Sequence, residues 1–458
     1  MFNNVNFLLL DSKNKFIEMC QNSALAEVIR SCPLYGYLDK VIFSVLIALF
    51  VSAGFLGTGM LGTLSFAFVL LILLKVLTTK GEKITLSVLD CVVLIYFLLA
   101  FVSLMGSTLF LASFKGFLKM FLYIAFYFSF AHWLKGNKDK IKWLLLSIAG
   151  VVTFEAIIAI LQNMSGVQAI SGWQDMSAIN PEDIIARAYG TLKPYNPNLL
   201  AGYLVAGIVP ITYFLSMAFL KKNVNLIVAS GVALAFCILA IFYTGCRGAY
   251  IALFAYILTV LYGIYYYVQN YKGGFSALKK RYKNLIFASC TAVFAFIFLN
   301  PAIYKRIFSI FAFRADSSIS FRMNVYGSSF DMFLGNPLIG IGLGNQNFRE
   351  IYGLYMKTGF DALSAYNIFL ETACEMGIFG LLAFCTIFGL VFYGTYKYIK
   401  TNAPREDKIL VLLSALGLLL LASHGLIDTV FYRPQIHILF WVYVAVVNVF
   451  AFLHAEEK

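Results

Sequence analysis

The sequence predicts an all-α polytopic membrane protein of about twelve transmembrane helices with a large outer loop containing short helices, and three observations carry that prediction. The chain of 458 residues is 61% hydrophobic and 12% charged, with a mean hydropathy of +0.83, whereas soluble domains carry about 25% charged residues. Twelve apolar runs are each long enough to cross the bilayer core, which is about 30 Å thick and is crossed at about 1.5 Å per helical residue. Lysine and arginine gather in alternate short connections, the pattern of residues retained on the cytoplasmic side.

Residues 1–40 lack the small-residue cleavage site of a secretory signal, and Lys15–Arg30 has the character of a short helix lying on the inner surface. The membrane domain then runs over 41–454, with its first span as the insertion signal. Spans are expected near 41–58, 60–77, 86–104, 114–133, 143–162, 197–219, 224–243, 248–268, 284–300, 371–396, 409–427 and 437–454. Gly57-Thr58-Gly59 is the break between the first two, and reading them as one reduces the total to eleven. The basic connections are Lys135 to Lys142, Lys221-Lys222, Lys272 to Lys283 and Lys397 to Lys408. With twelve spans they share one side, so both termini are expected to be cytoplasmic, and the net charge of +13 is mostly topological. No basic stripe interleaves with aromatics, which excludes a nucleic-acid partner.

Two outer excursions are expected, over 163–196 and 301–370. The first ends in Arg187-Ala188-Tyr189-Gly190-Thr191, followed by Asn196-Pro197-Asn198, where Asn198 is placed to cap the next helix. In the second, Val325–Leu334 has an apolar face and stops at Asn336-Pro337. The glycines Gly340, Gly342 and Gly344 follow without a βαβ unit, so they read as a tight turn whose exposed amides can approach an anion. The eight cysteines are scattered singly without a C-x-x-C, which points to packing rather than zinc or disulfides. No internal repeat is present, which argues against transporter folds built from duplicated halves.

The chemistry sits at the loop–membrane junctions. Arg187, Arg247, Arg322, Arg433 and Arg314 lie on the outer side, where a guanidinium fork suits phosphate. Ionisable residues in or beside spans are costly and mark function: Glu155, the pair Glu371 and Glu375, and the cluster of His424, Asp428 and Arg433. Transfer of a sugar from a lipid-linked diphosphate needs positive charge for the leaving group and a base for the acceptor hydroxyl. The outer loops contain no D-x-D, so a metal-independent site with no cofactor is expected.

These motifs resemble the O-antigen ligase and polymerase superfamily of bacterial membrane glycosyltransferases. The similarity rests on Arg187…Gly190-Thr191…Asn196-Pro197-Asn198, on Arg247-Gly248, and on Arg322 followed by Asn336 to Gly342. It also rests on the return segment Tyr366-Asn367…Leu370-Glu371…Glu375-Met376-Gly377, and it spans roughly 140–440. Ligases of the family place His where this chain has Tyr366, and that His is the group assigned to activating the acceptor. Tyr, with a pKa near 10, is a poor base at neutral pH. The segment His424 to Pro434 is closer to a branch labelled inorganic-carbon (bicarbonate) transporters.

The resemblance implies a C-type glycosyltransferase architecture in the bacterial inner membrane, with the lipid bilayer, a polyprenyl-diphosphate-linked glycan and an unspecified acceptor as partners. It implies that Arg187, Arg247, Arg322 and Arg433 bind the donor diphosphate and that Tyr366 and Asn367 orient acceptor or donor. His424 or Glu371 is expected to replace the missing base. A small-anion transporter and a non-catalytic envelope-assembly protein are the competing readings; the first requires a polar path across the membrane, towards which the sequence offers Glu155, Lys75 and Asp90.

Overall fold

Every backbone amide in hydrocarbon must be satisfied inside its own segment, and long apolar helices are the solution this chain adopts. A computed structural model describes residues 14–166, 187–271 and 317–453, together with Thr291, Ala295 and Leu299. The expected ninth span apart from those three residues, the basic connection Lys272 to Lys283, Cys290 and Arg314 lie outside the described residues, as does 167–186 of the first excursion.

After an amphipathic helix α1 (Ala24–Ser31), the described chain forms α2 (Leu38–Ser52), α3 (Thr58–Thr78), α4 (Val88–Gly106), α5 (Phe110–Gly136) and α6 (Ile141–Met164). Then come α7 (Pro197–Lys221), α8 (Val224–Thr244) and α9 (Arg247–Tyr271), followed by α10 (Ser317–Gly335) and α11 (Asn345–Tyr352) in the second excursion. The last three are α12 (Ile368–Ile399), α13 (Arg405–Gly425) and α14 (Pro434–Val447), the last widening into a π-helical turn over Asn448–Leu453. Among the described residues ten helices are long and apolar enough to span a membrane, and α9 adds a shorter apolar stretch over Arg247–Gly263. The chain is a multi-pass membrane protein. α2 and α3 are separate helices broken at 53–57, which removes the eleven-span alternative.

α14 is the central helix, buried along nearly its whole length against α5, α7 and α13. α12 packs on α4 and α13. Close helix approach is set by small residues: an added Cβ at Gly207 would lie 2.2 Å from Val152, and one at Gly417 2.7 Å from the Tyr443 ring. Such contacts are what drives association where lipid is as apolar as the side chains. Alternation of the helices leaves 53–57, 107–109, 187–196, 245–246, 317–367 and 426–433 on one face, where they touch one another. Thr191 bonds the Gly54 carbonyl (2.9 Å), Arg187 that of Thr244 (2.7 Å) and Arg322 that of Ile427 (3.1 Å). Among the described residues, the basic connections Lys135 to Lys142, Lys221-Lys222 and Lys397 to Lys408 lie at the other face.

Candidate active site at the loop face

The second excursion docks into the helix bundle. α10 is longer than the Val325–Leu334 pattern predicts, and it stops before Asn336-Pro337 as expected. The glycine run then lies against α12, whose regular path breaks at Gly377 (φ +68°). Ile341 N–H donates to the Cys374 carbonyl (2.9 Å), Gly342 N–H to that of Glu375 (3.1 Å) and Ile378 N–H to that of Pro337 (2.8 Å). Leu343 N–H donates to Ser113 Oγ (2.9 Å) and Gly344 N–H to Glu375 Oε1 (2.6 Å). The amides expected to approach an anion are therefore taken up by the protein's own carbonyls and by Glu375. Gly340, Gly342 and Gly344 all have positive φ, and an added Cβ at Gly340 would lie 2.3 Å from the Glu375 oxygen; only glycine permits this approach.

Carboxylates in the helices brace the loops. Glu371, 1% exposed, accepts from Ala365 N–H (3.1 Å) through Oε2 and so fixes the residue before Tyr366. Glu155, fully buried, accepts from Thr191 N–H (2.9 Å) and from the Thr191 hydroxyl, which pins the Arg187-to-Asn198 segment. Gln162 holds the same segment through the amides of Tyr189 (3.1 Å) and Gly190 (2.9 Å). Asn196, rather than Asn198, caps α7 by accepting from Asn198 N–H (2.8 Å). The cap falls there because Pro197 takes the first helical position, and it frees the Asn198 side chain, which accepts from Arg187 Nη2 and donates to Asp428 Oδ2 (2.7 Å).

Tyr366 lies in the left-handed region (φ +50°), an uncommon conformation for a bulky residue, with the Arg322 guanidinium 5.5 Å above its ring and Phe321 edge-on at 5.9 Å. Burial raises its phenol above the ordinary value of 10, and the nearby Asp428 carboxylate raises it further. It is thus held as a protonated donor at neutral pH. Tyr326, whose phenol is likewise raised by burial, donates to the carbonyls of Tyr366 (3.3 Å) and Leu426 (3.2 Å), tying the return segment to 426–433.

A cavity of about 560 Å³ opens beside these loops. Asn198, Tyr366, Asp428 and Arg433 line its polar part with Ser364 and Thr429, whose hydroxyls bond each other (2.5 Å). Gly59, Gly62, Leu122 and Ile438 of α3, α5 and α14 line its part among the spans, and Lys119 of α5 adds a second cation. Sequence reasoning passed over Lys119, although a lysine near the end of an apolar span is a recognisable signal.

The expected site residues divide. Arg433 and Tyr366 line the cavity; Arg187 reaches it through Asn198, and Arg322 through the Tyr366 ring. Arg247 is buried (6% exposed) in the first turn of α9, after the Gly245-Cys246 connection, and is not part of the lining. Asn367 caps α12, its Oδ1 accepting from the amides of Phe369 (2.9 Å) and Leu370 (3.1 Å) while its Nδ2 donates to Leu426 (3.3 Å). It therefore shapes the loop instead of facing the cavity. His424 is 2% exposed, with Nε2 3.5 Å from Cys246 Sγ and its ring edge against Gly248 and Gly202. Neither His424 nor Glu371 is in the cavity lining. Asp428, noted in the sequence beside His424 without a role of its own, is the carboxylate in that lining.

No curated protein matches the chain. The model of the family described as O-Antigen ligase matches residues 232–385, from α8 into α12; the Arg187-to-Asn198 and His424-to-Pro434 segments lie outside the match and meet it through the contacts above. That match, covering Arg247, α10, the glycine run and the Tyr366-to-Gly377 return, supports the chain's place in the O-antigen ligase and polymerase superfamily.

Proposed function

We propose that the protein is a membrane glycosyltransferase that moves a glycan from a polyprenyl-diphosphate carrier to an acceptor hydroxyl at the outer face of the bacterial inner membrane. The observation that carries this reading is the two-part lining of the cavity. Apolar and small residues of α3, α5 and α14 continue into a polar end holding Arg433, Lys119, Asn198 and Tyr366. A lipid-linked diphosphate has the same division: a hydrocarbon chain that stays among spans and two phosphates at the boundary.

Leaving of the diphosphate needs preorganised positive charge more than it needs a covalent partner. Arg433 and Lys119, which line the cavity, would meet it directly, and Arg187 and Arg322 from the rim. The Tyr366 hydroxyl, kept protonated, donates to an acceptor or donor oxygen. The family match supports the glycosyltransferase class, and the two-part cavity supports the lipid-linked donor.

The test is transfer from a polyprenyl-diphosphate oligosaccharide in liposomes with a chelator present, with bicarbonate uptake followed in the same vesicles. Wild type is expected to consume the donor and Arg433→Ala to lose at least about tenfold in rate, the loss of one charge-assisted contact. Bicarbonate uptake without donor turnover would refute the reading.

A further inference from the structure

We propose that Asp428 is the general base that takes the proton of the acceptor hydroxyl, a role that rests on the glycosyltransferase reading above. A base must hold a lone pair towards the place where the hydroxyl enters. Asp428 lines the cavity and is only 4% exposed. Oδ2 accepts from Asn198 Nδ2 (2.7 Å) and Oδ1 from Val430 N–H (3.1 Å). A carboxylate has about four acceptor positions, so these two bonds fix its plane and leave lone pairs for a substrate. Arg187 in turn fixes Asn198, whose side-chain oxygen faces the guanidinium and whose amide faces Asp428.

The alternatives are placed elsewhere. His424 faces Cys246 below the loop, Glu371 accepts from Ala365 N–H, and Tyr366 is held as a donor. Tyr366, Ser364 and Thr429 beside Asp428 offer hydroxyls that can hold an acceptor sugar in register. In the step, the acceptor oxygen bonds to the anomeric carbon as its proton passes to a carboxylate oxygen of Asp428. The bond from that carbon to the phosphate oxygen breaks, and its electron pair leaves with the polyprenyl diphosphate.

The experiment measures donor binding and transfer separately for Asp428→Asn and Asp428→Glu in the full chain. General-base catalysis contributes about a hundredfold or more. D428N is expected to bind the lipid-linked donor as wild type does and to lose transfer by that factor, while D428E, which keeps a carboxylate, retains measurable transfer. D428N transferring at close to the wild-type rate overturns the assignment. Loss of donor binding in both variants also overturns it, and makes Asp428 a brace for Asn198 and the 426–433 segment. A wild type that neither binds nor consumes the donor overturns the glycosyltransferase reading itself, and the base with it.

Discussion

Replacing Gly340 by alanine tests whether the glycine run is truly built into the bundle. The new Cβ would lie 2.3 Å from the Glu375 carbonyl oxygen and 2.5 Å from the Met376 nitrogen, both backbone atoms of α12 that no rotamer change can move. Relief needs a separation of about 1 Å more, which breaks the Ile341-to-Cys374 and Gly342-to-Glu375 hydrogen bonds. Those bonds are worth about 0.5–1.5 kcal/mol each, and a side chain at φ +73° adds about 1–2 kcal/mol. The sum is about 2–5 kcal/mol, a large share of the roughly 5–15 kcal/mol that holds a typical protein folded. Thermal unfolding of G340A in detergent is expected about 5 °C or more below wild type, with transfer lost because Arg322 and Tyr366 ride on the same loop. Gly327→Ala is the control: it sits within α10 with open space around its Cβ position, and is expected to stabilise by about 0.5–1 kcal/mol. Equal melting of G340A and G327A would refute the docked geometry.

Two further substitutions separate the site from its scaffold. Asn198→Ala removes the side chain between Arg187 and Asp428 and leaves both without that partner; a loss of about 1–3 kcal/mol is expected to appear as a roughly tenfold or greater fall in transfer, measured as initial rate at saturating donor. Asn448→Ala acts at the opposite face, where Asn448 Nδ2 donates to Asp90 Oδ1 (2.9 Å) and Ser87 Oγ donates to Asn448 Oδ1 (2.6 Å). Its expected effect is about 2–3 kcal/mol of stability, seen as a lower melting temperature, with the specific activity of the folded fraction unchanged.

Hydropathy made the spans legible because each must satisfy its own backbone in lipid, and ten of the expected twelve coincide with described membrane-length helices. The motifs were legible as residue types: arginines at loop ends, and acids one turn apart at the head of α12. Their partners were not. Whether Glu371 faces a substrate or the Ala365 amide depends on where a loop of distant sequence returns, and no local pattern encodes that. Asn196 and Asn198 are equally good caps on composition, and only the position of Pro197 decides between them. The glycine run carried a true signal of close backbone approach, but the approaching group is α12 and not an anion. Lys119 was legible as an ionisable residue within a span, but its place in the cavity was not, since a lysine near a span end ordinarily snorkels to the interface.

The placement of the membrane carboxylates also bears on the competing transporter reading. A path for a small anion would have to continue from the cavity through polar groups of the other half of the bundle, and among the described residues Asp90, Lys75 and Glu82 there are engaged with neighbouring groups. Asp90 accepts from Tyr127 (2.8 Å), Ser87 N–H (2.8 Å) and Asn448 (2.9 Å), while Lys75 pairs with Asp39 (2.8 Å) and Glu82 (3.5 Å). Glu82 is further held by His132 (3.2 Å), and that hydrogen bond keeps its carboxyl below the usual range. An anion entering these networks would meet carboxylates already supplied with donors, and freeing Lys75 to receive it would leave Asp39 and Glu82 without their shared cation. The loop face differs in kind: Glu371 and Glu155 fix backbone amides, while Arg433, Lys119 and Asp428 line an open cavity. Charge arranged that way is what the proposed glycosyltransferase needs in order to hold a diphosphate in place while a bond beside it is exchanged.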